Sequence, residues 1–564
     1  MKMKNINTSI FDFAELRNSD DEYIYVDKTR QLYELLKKGK DKIYYLPRPR
    51  RFGKSLMIST LKYLFLGRRD LFKGLWIDSS PWDWDKEVYP VLHLDMAHVA
   101  SKTADELERS LKTLMEVAAK EFGMEVDREK SAKEILFLLL RYLPTIAPKA
   151  AGGKYVVLID EYDAPISGLL DTPEGRVELP MVRKTLHDFY VQAKSECGNM
   201  RFLMVTGVSK FAKTSIFSAF NNPCDLTLDQ RAADLLGYTH EEMEKYFHEH
   251  IQAFADSEGI SYEKMFARLL DWYDSYQFSP DRLVKVVNPV SLGKALTNKK
   301  IANYWEATAG STLIFDVLKA GNKAPLDFAA RFKLKRLDAA DALDAPTVAL
   351  LYQGGYLTID KPVNDSTVWL KIPNREVSDS LYDGYVGQLL GKDFEIDELE
   401  NDADETAERI ATDPTGGEMK RLLVSAYARL PHDWVCKNEK EAKRYFIAFM
   451  VFARAEVVGE EQHSLGRPDA VLKTEKAIYI FEFKYDQSAQ AAIDQCRERD
   501  YAAAFTVDAR QVVYVGVNYD SSVRTVSDVK CEDAILVQRE SKSISRKPKS
   551  KTTKAKSRKV KRNE

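Results

Sequence analysis

The chain has 564 residues, 45% hydrophobic and 30% charged, with a formal net charge of -2. That length predicts roughly three or four domains at about 150 residues each, and the composition excludes a disordered or fibrous chain. Near-neutral charge excludes a global attraction to nucleic acid, and Cys197, Cys224, Cys436, Cys496 and Cys531 are too far apart for a C-x-x-C zinc site or a disulfide framework. No apolar run nears the ~20 residues of a membrane span, and the N-terminus lacks the apolar core of a leader. A soluble cytoplasmic protein in a reducing compartment is expected.

Residues 11–38 predict a short helix, an extended Tyr23-Ile24-Tyr25-Val26 and a second helix capped by Asp27 or Thr29. The apolar strand Ile43-Tyr44-Tyr45-Leu46 then enters Pro47-Arg48-Pro49-Arg50-Arg51-Phe52-Gly53-Lys54-Ser55 and a helical run from Leu56. Strand, tight loop ending Gly-Lys-Ser, helix is the order that turns backbone N–H groups and a helix N-terminus toward a phosphate. Arg50, Arg51, Phe52, Gly53, Lys54, Ser55 and Leu56 are the expected cradle for ATP. Lys54 would reach the β/γ-phosphates, and the Ser55 hydroxyl would ligate Mg²⁺. Arg48 stands where the usual pattern has its first glycine.

Val91-Leu92-His93-Leu94-Asp95 predicts a strand buried on both faces. Helices at about 102–122 and 131–142 lead to Tyr155-Val156-Val157-Leu158-Ile159, a strand ending in Asp160-Glu161. In a parallel sheet Asp160 is expected beside the phosphate loop, holding Mg²⁺ through water, with Glu161 polarising the attacking water. A further strand at residues 201–205 ends in Thr206-Gly207, so that Thr206 or Ser209 would sense the γ-phosphate. Strands alternating with long helices predict an α/β sheet.

Residues 236–345 read as mostly helical, with Thr239 as a cap. His240, His248 and His250 are expected on the surface, since His248 and His250, two apart, share no helix face. At residues 346–373 a helix, Gly354-Gly355 and an apolar hairpin around Asn364-Asp365-Ser366 read as winged-helix-like, serving packing more than DNA contact. Residues 377–436 read as a helical connector.

In the C-terminal part, a helical run from Glu441 to Ala455 precedes Glu456-Val457-Val458-Gly459-Glu460-Glu461. Gly466-Arg467-Pro468-Asp469 and a turn then lead to Ala477-Ile478-Tyr479-Ile480-Phe481-Glu482-Phe483-Lys484. Glu482 and Lys484, two apart on a strand, leave the same face, and a hairpin would bring Asp469 alongside. Asp469, Glu482 and the Phe483 carbonyl form an all-oxygen set suited to Mg²⁺, with Lys484 orienting or deprotonating water for phosphodiester cleavage. Glu460, expected on the preceding helix, would complete the set, with Glu461 as the alternative. The tail beyond about residue 541 is rich in Lys and Arg; it is expected to be disordered and to contact phosphates without reading sequence.

Tyr25-Val26-Asp27-Lys28-Thr29, the Arg48 to Leu56 loop, Asp160-Glu161-Tyr162-Asp163, Thr206-Gly207-Val208-Ser209-Lys210 and Phe217-Ser218-Ala219-Phe220-Asn221-Asn222 together resemble the bacterial AAA-ATPase-like family. Members typically carry a C-terminal PD-(D/E)xK nuclease-like domain, and the loop without its first glycine is a form that family shows. The resemblance spans roughly residues 10–520 and extends the nuclease-like pattern to Gln495 and Tyr501. It implies an α/β P-loop NTPase sheet with a helical lid and winged-helix-like middle, followed by a smaller α/β restriction-endonuclease-like domain. The expected divisions are an ATPase domain at 1–235, lid and winged-helix-like region at 236–375, connector at 376–436, nuclease-like domain at 437–540 and tail at 541–564. Expected partners are ATP, Mg²⁺ and a nucleic acid (DNA before RNA), with a homo-oligomer left open and no membrane. The leading expectation is an ATP-controlled nuclease; the alternative is a nucleotide-switched binding protein whose nuclease fold is catalytically silent.

Overall fold

The computed structural model describes residues 3–38, 41–127, 129–169, 172–210, 223–305, 331–337, 346–381, 417–428, 436–452, 456–459, 468–473, 477–505, 508 and 510–534. Phe217-Ser218-Ala219-Phe220-Asn221-Asn222, Glu460, Glu461, Gly466, Arg467, most of the expected connector and the basic tail lie outside the described residues. Two compact units divide the chain, one formed by Met1–Gly321 with Asp327–Gln388, the other by Asn322–Leu326 with Leu389–Glu564.

The first unit is built on five parallel strands: β1 (Ile43–Pro47), β2 (Val91–Asp95), β3 (Tyr155–Asp160), β4 (Met200–Gly207) and β5 (Cys224–Asp225). Their order across the sheet is β2-β3-β4-β1-β5. Every residue of β3 is buried, as a continuous apolar run requires when both faces of a parallel sheet are covered. Helices Ala104–Glu121, Ala132–Ile146 and Pro173–Ser195 bury Leu107, Leu111, Leu136, Leu140, Val182 and Leu186 against this sheet. Thr103 caps the first of these by accepting the Glu106 N–H, and Ser131 with Glu134 forms a capping box on the second.

β4 pairs with both β1 and β3 and stands between them, so Asp160 ends the strand two places from β1 in the sheet. An apolar run announces a buried strand but says nothing about its neighbours.

A second core in this unit joins helices His240–Glu258, Tyr262–Tyr273 and Pro289–Asn298 through Phe247, Ile251, Phe254, Leu269, Tyr273 and Leu292. Thr239 caps the first of them through a capping box with Glu242. The surface expectation for the histidines fails at His250, which is buried, and His240 pairs its Nε2 with Asp274 Oδ1 at 3.0 Å. Among the described residues no group of three or more His, Cys, Asp or Glu could hold a metal ion.

The winged-helix-like region is present as helix Thr347–Gly354 with an antiparallel sheet. β6 (Tyr276–Gln277) and β7 (Lys285–Val286) pair separately, while β8 (Arg331–Lys333), β9 (Thr358–Asn364) and β10 (Thr367–Lys371) take the order β8-β10-β9. Residues 376–381, expected in the connector, belong to this first unit, because Glu376 is buried there with the Tyr304 N–H donating to its Oε1 at 2.6 Å.

The second unit holds a mixed sheet of β11 (Glu456–Gly459), β12 (Ala470–Lys473), β13 (Ala477–Tyr485), β14 (Gln511–Asp520) and β15 (Thr525–Asp533), in that order. Only β13 and β14 run parallel, and helix Ala489–Glu498 makes the crossover that a parallel pair demands. Glycine at 516 lets that helix approach, since a Cβ there would collide with the Ala489 carbonyl oxygen. No described helix in the chain is long and apolar enough to cross a membrane.

Candidate functional site

In the first unit the chain leaves β1 at Pro47 and enters helix Lys54–Phe65 at Lys54, with Gly53 as N-cap at φ +91°. That left-handed conformation favours glycine, and Arg51 takes it too, at φ +67°. Phe52 is buried edge-on against Tyr276 and Phe278, at 4.8 and 5.3 Å between ring centroids. The apolar anchor leaves the flanking backbone to form the turn. Lys54 is buried, and its Nζ donates to the carbonyls of Arg48 and Pro49, both at 3.2 Å. Glu161 Oε1 lies 3.6 Å from the same ammonium.

Arg48 is the part of the loop that the missing glycine concealed. Its buried guanidinium donates to the carbonyls of Pro47, Thr227 and Ala232 at 2.9–3.0 Å and sits 4.2 Å over the Phe278 ring. Burial pushes its pKa down to about 10. A guanidinium presents several donors in a fixed fork, so one side chain can tie the loop to three separate backbone positions.

Asp160 and Thr206 end β3 and β4, and the Thr206 hydroxyl donates to Asp160 Oδ1 at 2.5 Å. Glu161 follows at φ +48°, which turns its carboxylate toward Lys54. Burial raises the Glu161 pKa while Lys54 opposes that rise. Asp163 accepts the Val208 and Ser209 N–H groups and the Ser209 hydroxyl at 2.6–3.1 Å. Tyr162 donates to the Ser209 carbonyl at 2.6 Å. Gly207 is required beneath this clamp, because a Cβ would meet Asp163 and the Tyr162 ring. Of the two γ-phosphate candidates, Ser209 is thus committed to Asp163 and Thr206 to Asp160.

Lys54, Ser55, Asp160, Glu161 and Thr206 therefore gather at the carboxyl ends of β1, β3 and β4, where open α/β sheets bind ligands. A pocket lined mostly by apolar atoms opens beside them, walled by Tyr25, Gly53, Leu56, Met57, Leu236 and Pro289. Arg51 and Phe52 also line it, whereas Arg50 does not. Lys28 borders it as well, bonded to Glu242 Oε2 at 2.6 Å and to the Asp234 carbonyl at 2.9 Å.

In the second unit Asp469 precedes β12, while Glu482 and Lys484 share one face of β13. Asp469 Oδ2 accepts the Phe483 N–H at 2.8 Å. Lys484 Nζ donates to the Phe483 carbonyl at 2.8 Å and stands 3.5 Å from Glu482 Oε1. Gln495, on the crossover helix, donates to Glu482 Oε1. Burial raises the Glu482 pKa, the Asp469 charge adds to the rise, and Lys484 opposes it. Glu482 Oε2 is buried with no hydrogen-bond partner among the described residues. Two converging carboxylates, one with an unmatched oxygen, are a donor set that fits a small divalent cation.

The structure adds to the expected acidic complement. Glu460 and Glu461 lie outside the described residues, but the helix ends at Phe452 and residues 456–459 are strand β11. The helix does bring an acid to the cluster at its other end: Glu439 Oε2 lies 3.5 Å from Lys484 Nζ. Sequence reasoning missed Glu439 and also Lys443, whose Nζ donates to Asp469 Oδ1 at 3.0 Å. The available signal was their four-residue spacing, which places both on one helix face.

Comparison with known proteins gives a family for each of the two regions. Residues 7–217 match a family described as "Predicted AAA-ATPase", and residues 437–529 match the PD-(D/E)XK nuclease superfamily. The chain is 30% identical over 543 residues to an "Uncharacterized protein in vnfD 5'region" from Azotobacter chroococcum mcd 1, covering 93% of this chain and 98% of that protein.

Proposed function

From the premise that this chain belongs to the AAA-ATPase-like family carrying a C-terminal PD-(D/E)XK nuclease superfamily domain, we propose that it hydrolyses ATP and cleaves nucleic-acid phosphodiesters under ATP control. The pocket beside Gly53 would take the adenine base, with Arg50, Arg51, Phe52 and Leu56 shaping the approach to it. The N–H groups around Lys54 and Ser55 would face the phosphates. Ser55 and Asp160 would hold Mg²⁺, whose charge neutralises the phosphates when bound. Lys54 would exchange its carbonyl partners for phosphate oxygens, and Glu161, released from Lys54, would orient water.

In the second unit Asp469, Glu482 and the Phe483 carbonyl would hold Mg²⁺, which polarises a scissile phosphate when bound. Lys484 would orient the attacking water, Gln495 would hold Glu482 in position, and Glu460 remains a proposed further acid. The observation that carries the nuclease reading is the buried, unmatched oxygen of Glu482 beside Asp469. An unpaired buried carboxylate oxygen is destabilising, and a cation is what would relieve it. DNA is proposed ahead of RNA, in the cytoplasm.

Supercoiled plasmid with Mg²⁺ and ATP tests the whole reading. Nicking by the wild type that is lost in Asp469→Ala and in Lys54→Ala supports a coupled nuclease. Nicking lost only in Asp469→Ala removes the ATP control. DNA retained in a gel shift, with no nicking under any divalent metal, replaces the nuclease by a binding module.

A further inference from the structure

The acidic cluster of the second unit contains a cation that the proposed nuclease chemistry does not use. Lys443 stands one helical turn beyond Glu439 on helix Glu439–Phe452. Its Nζ meets Asp469 Oδ1 at 3.0 Å, with only 12% and 13% of the two side chains exposed. The other oxygen of Asp469 is held by the Phe483 N–H. Both oxygens are therefore engaged by the chain itself, and the one not bound to backbone carries the ammonium.

On the far side of the cluster, Lys484 lies between Glu439 and Glu482, 3.5 Å from each. Glu482 Oε2 nevertheless remains without a hydrogen-bond partner, in a side chain that is 3% exposed. The two lysines thus leave one buried carboxylate oxygen unsatisfied while one of them covers Asp469. A divalent cation bridging Asp469 and Glu482 would satisfy Oε2, but it would contend with Lys443 for Asp469 Oδ1. Two cations repel strongly at contact in a partly buried site, so both cannot hold that oxygen.

We propose that Lys443 is a resident cation gating the second unit, so that a divalent metal binds Asp469 only when the ammonium swings away. The proposal rests on reading Asp469 and Glu482 as a metal site, and it adds that Lys443 sets how tightly the site binds. A phosphodiester supplies the anion toward which a displaced ammonium turns, so nucleic acid and metal would enter together, each strengthening the other's binding.

The test is Mn²⁺ binding to the full-length protein without nucleotide, with free Mn²⁺ measured by electron paramagnetic resonance. Wild type, Lys443→Met, Lys443→Gln, Lys443→Arg and Asp469→Ala are compared, and only sites lost in Asp469→Ala are counted. Lys443→Met and Lys443→Gln are expected to tighten those sites at least tenfold, while Lys443→Arg stays near wild type. Using two neutral variants protects against a folding defect in either. Asp469-dependent binding unchanged within twofold in both neutral variants overturns the gate and leaves the metal site standing. No Asp469-dependent binding in any protein overturns the metal site itself, and the gate with it.

Discussion

Gln353, in the winged-helix-like region, accepts the backbone N–H of Lys210 at 2.8 Å, while its amide donates to the Leu337 carbonyl at 3.1 Å. Lys210 directly follows Ser209, whose N–H and hydroxyl Asp163 holds. Gly355 packs on Pro49 so closely that a Cβ would collide with its ring. The winged-helix-like region therefore touches both the phosphate loop and the segment after β4. Packing in this region touches the candidate nucleotide site itself.

Gln353→Ala leaves the Lys210 N–H and the Leu337 carbonyl without these partners in a buried setting, a loss of about 1–3 kcal/mol for each unmatched group. Thermal unfolding of the first unit is expected to shift down. ATP turnover is expected to fall between about twofold and thirtyfold, the span of a 0.5–2 kcal/mol coupling. Turnover equal to wild type in the folded variant would disprove the coupling.

Arg48→Gly restores the residue that the usual phosphate loop carries, yet it is expected to weaken the protein. It strips donors from buried carbonyls at Thr227 and Ala232, at about 2–4 kcal/mol in total, and removes the guanidinium from Phe278. The unfolding midpoint is expected to drop by about 5 °C or more. Arg48→Lys should not rescue it, because a single ammonium cannot reach positions held by a fork. A glycine variant as stable as wild type would refute this role.

Glu376 gives the first unit a pH dependence. Burial pushes its pKa from 4.5 up to about 7, against hydrogen bonds from Ser291 and from the Tyr304 and Trp305 N–H groups and the charge of Arg51, which favour the anion. The folded state thus holds a proton that the unfolded state gives up near pH 4.5. Its stabilising contribution is fully present below about pH 4.5 and is lost as pH rises through about 7, on the order of 3 kcal/mol. Glu376→Gln should flatten that part of the stability–pH curve. Parallel curves for the two proteins in chemical denaturation would contradict the assignment.

Gly516→Ala tests the second unit. The added Cβ meets the Ala489 carbonyl and the Ile493 side chain, and since a helix backbone is the obstacle, about 1–3 kcal/mol of overpacking is expected. Limited proteolysis should cut the second unit faster in the variant, while the first unit resists as before. Unchanged cleavage would show that the crossover helix has room to move.

Local chemistry was legible without coordinates. Gly53 before a helix, the apolar run into Asp160, the Thr239 cap and the two-residue spacing of Glu482 and Lys484 all depend on neighbours a few positions away, where backbone geometry is set by residue type. The misreadings needed distant partners. His250 looked exposed because its burial comes from other elements, and Glu439 and Lys443 went unread because the residues they meet lie 26 or more positions away.

Residue order alone announced the buried strands, the Gly53 turn and the helix caps around each candidate site, because strands, caps and turn residues carry their instructions within a few positions. Folding decided what those residues meet: β4 between β1 and β3, Arg48 reaching carbonyls some 180 positions along the chain, and Lys443 on Asp469 across 26 residues. Contacts of that span follow from how elements pack, and packing is a property of the whole core that no short stretch encodes.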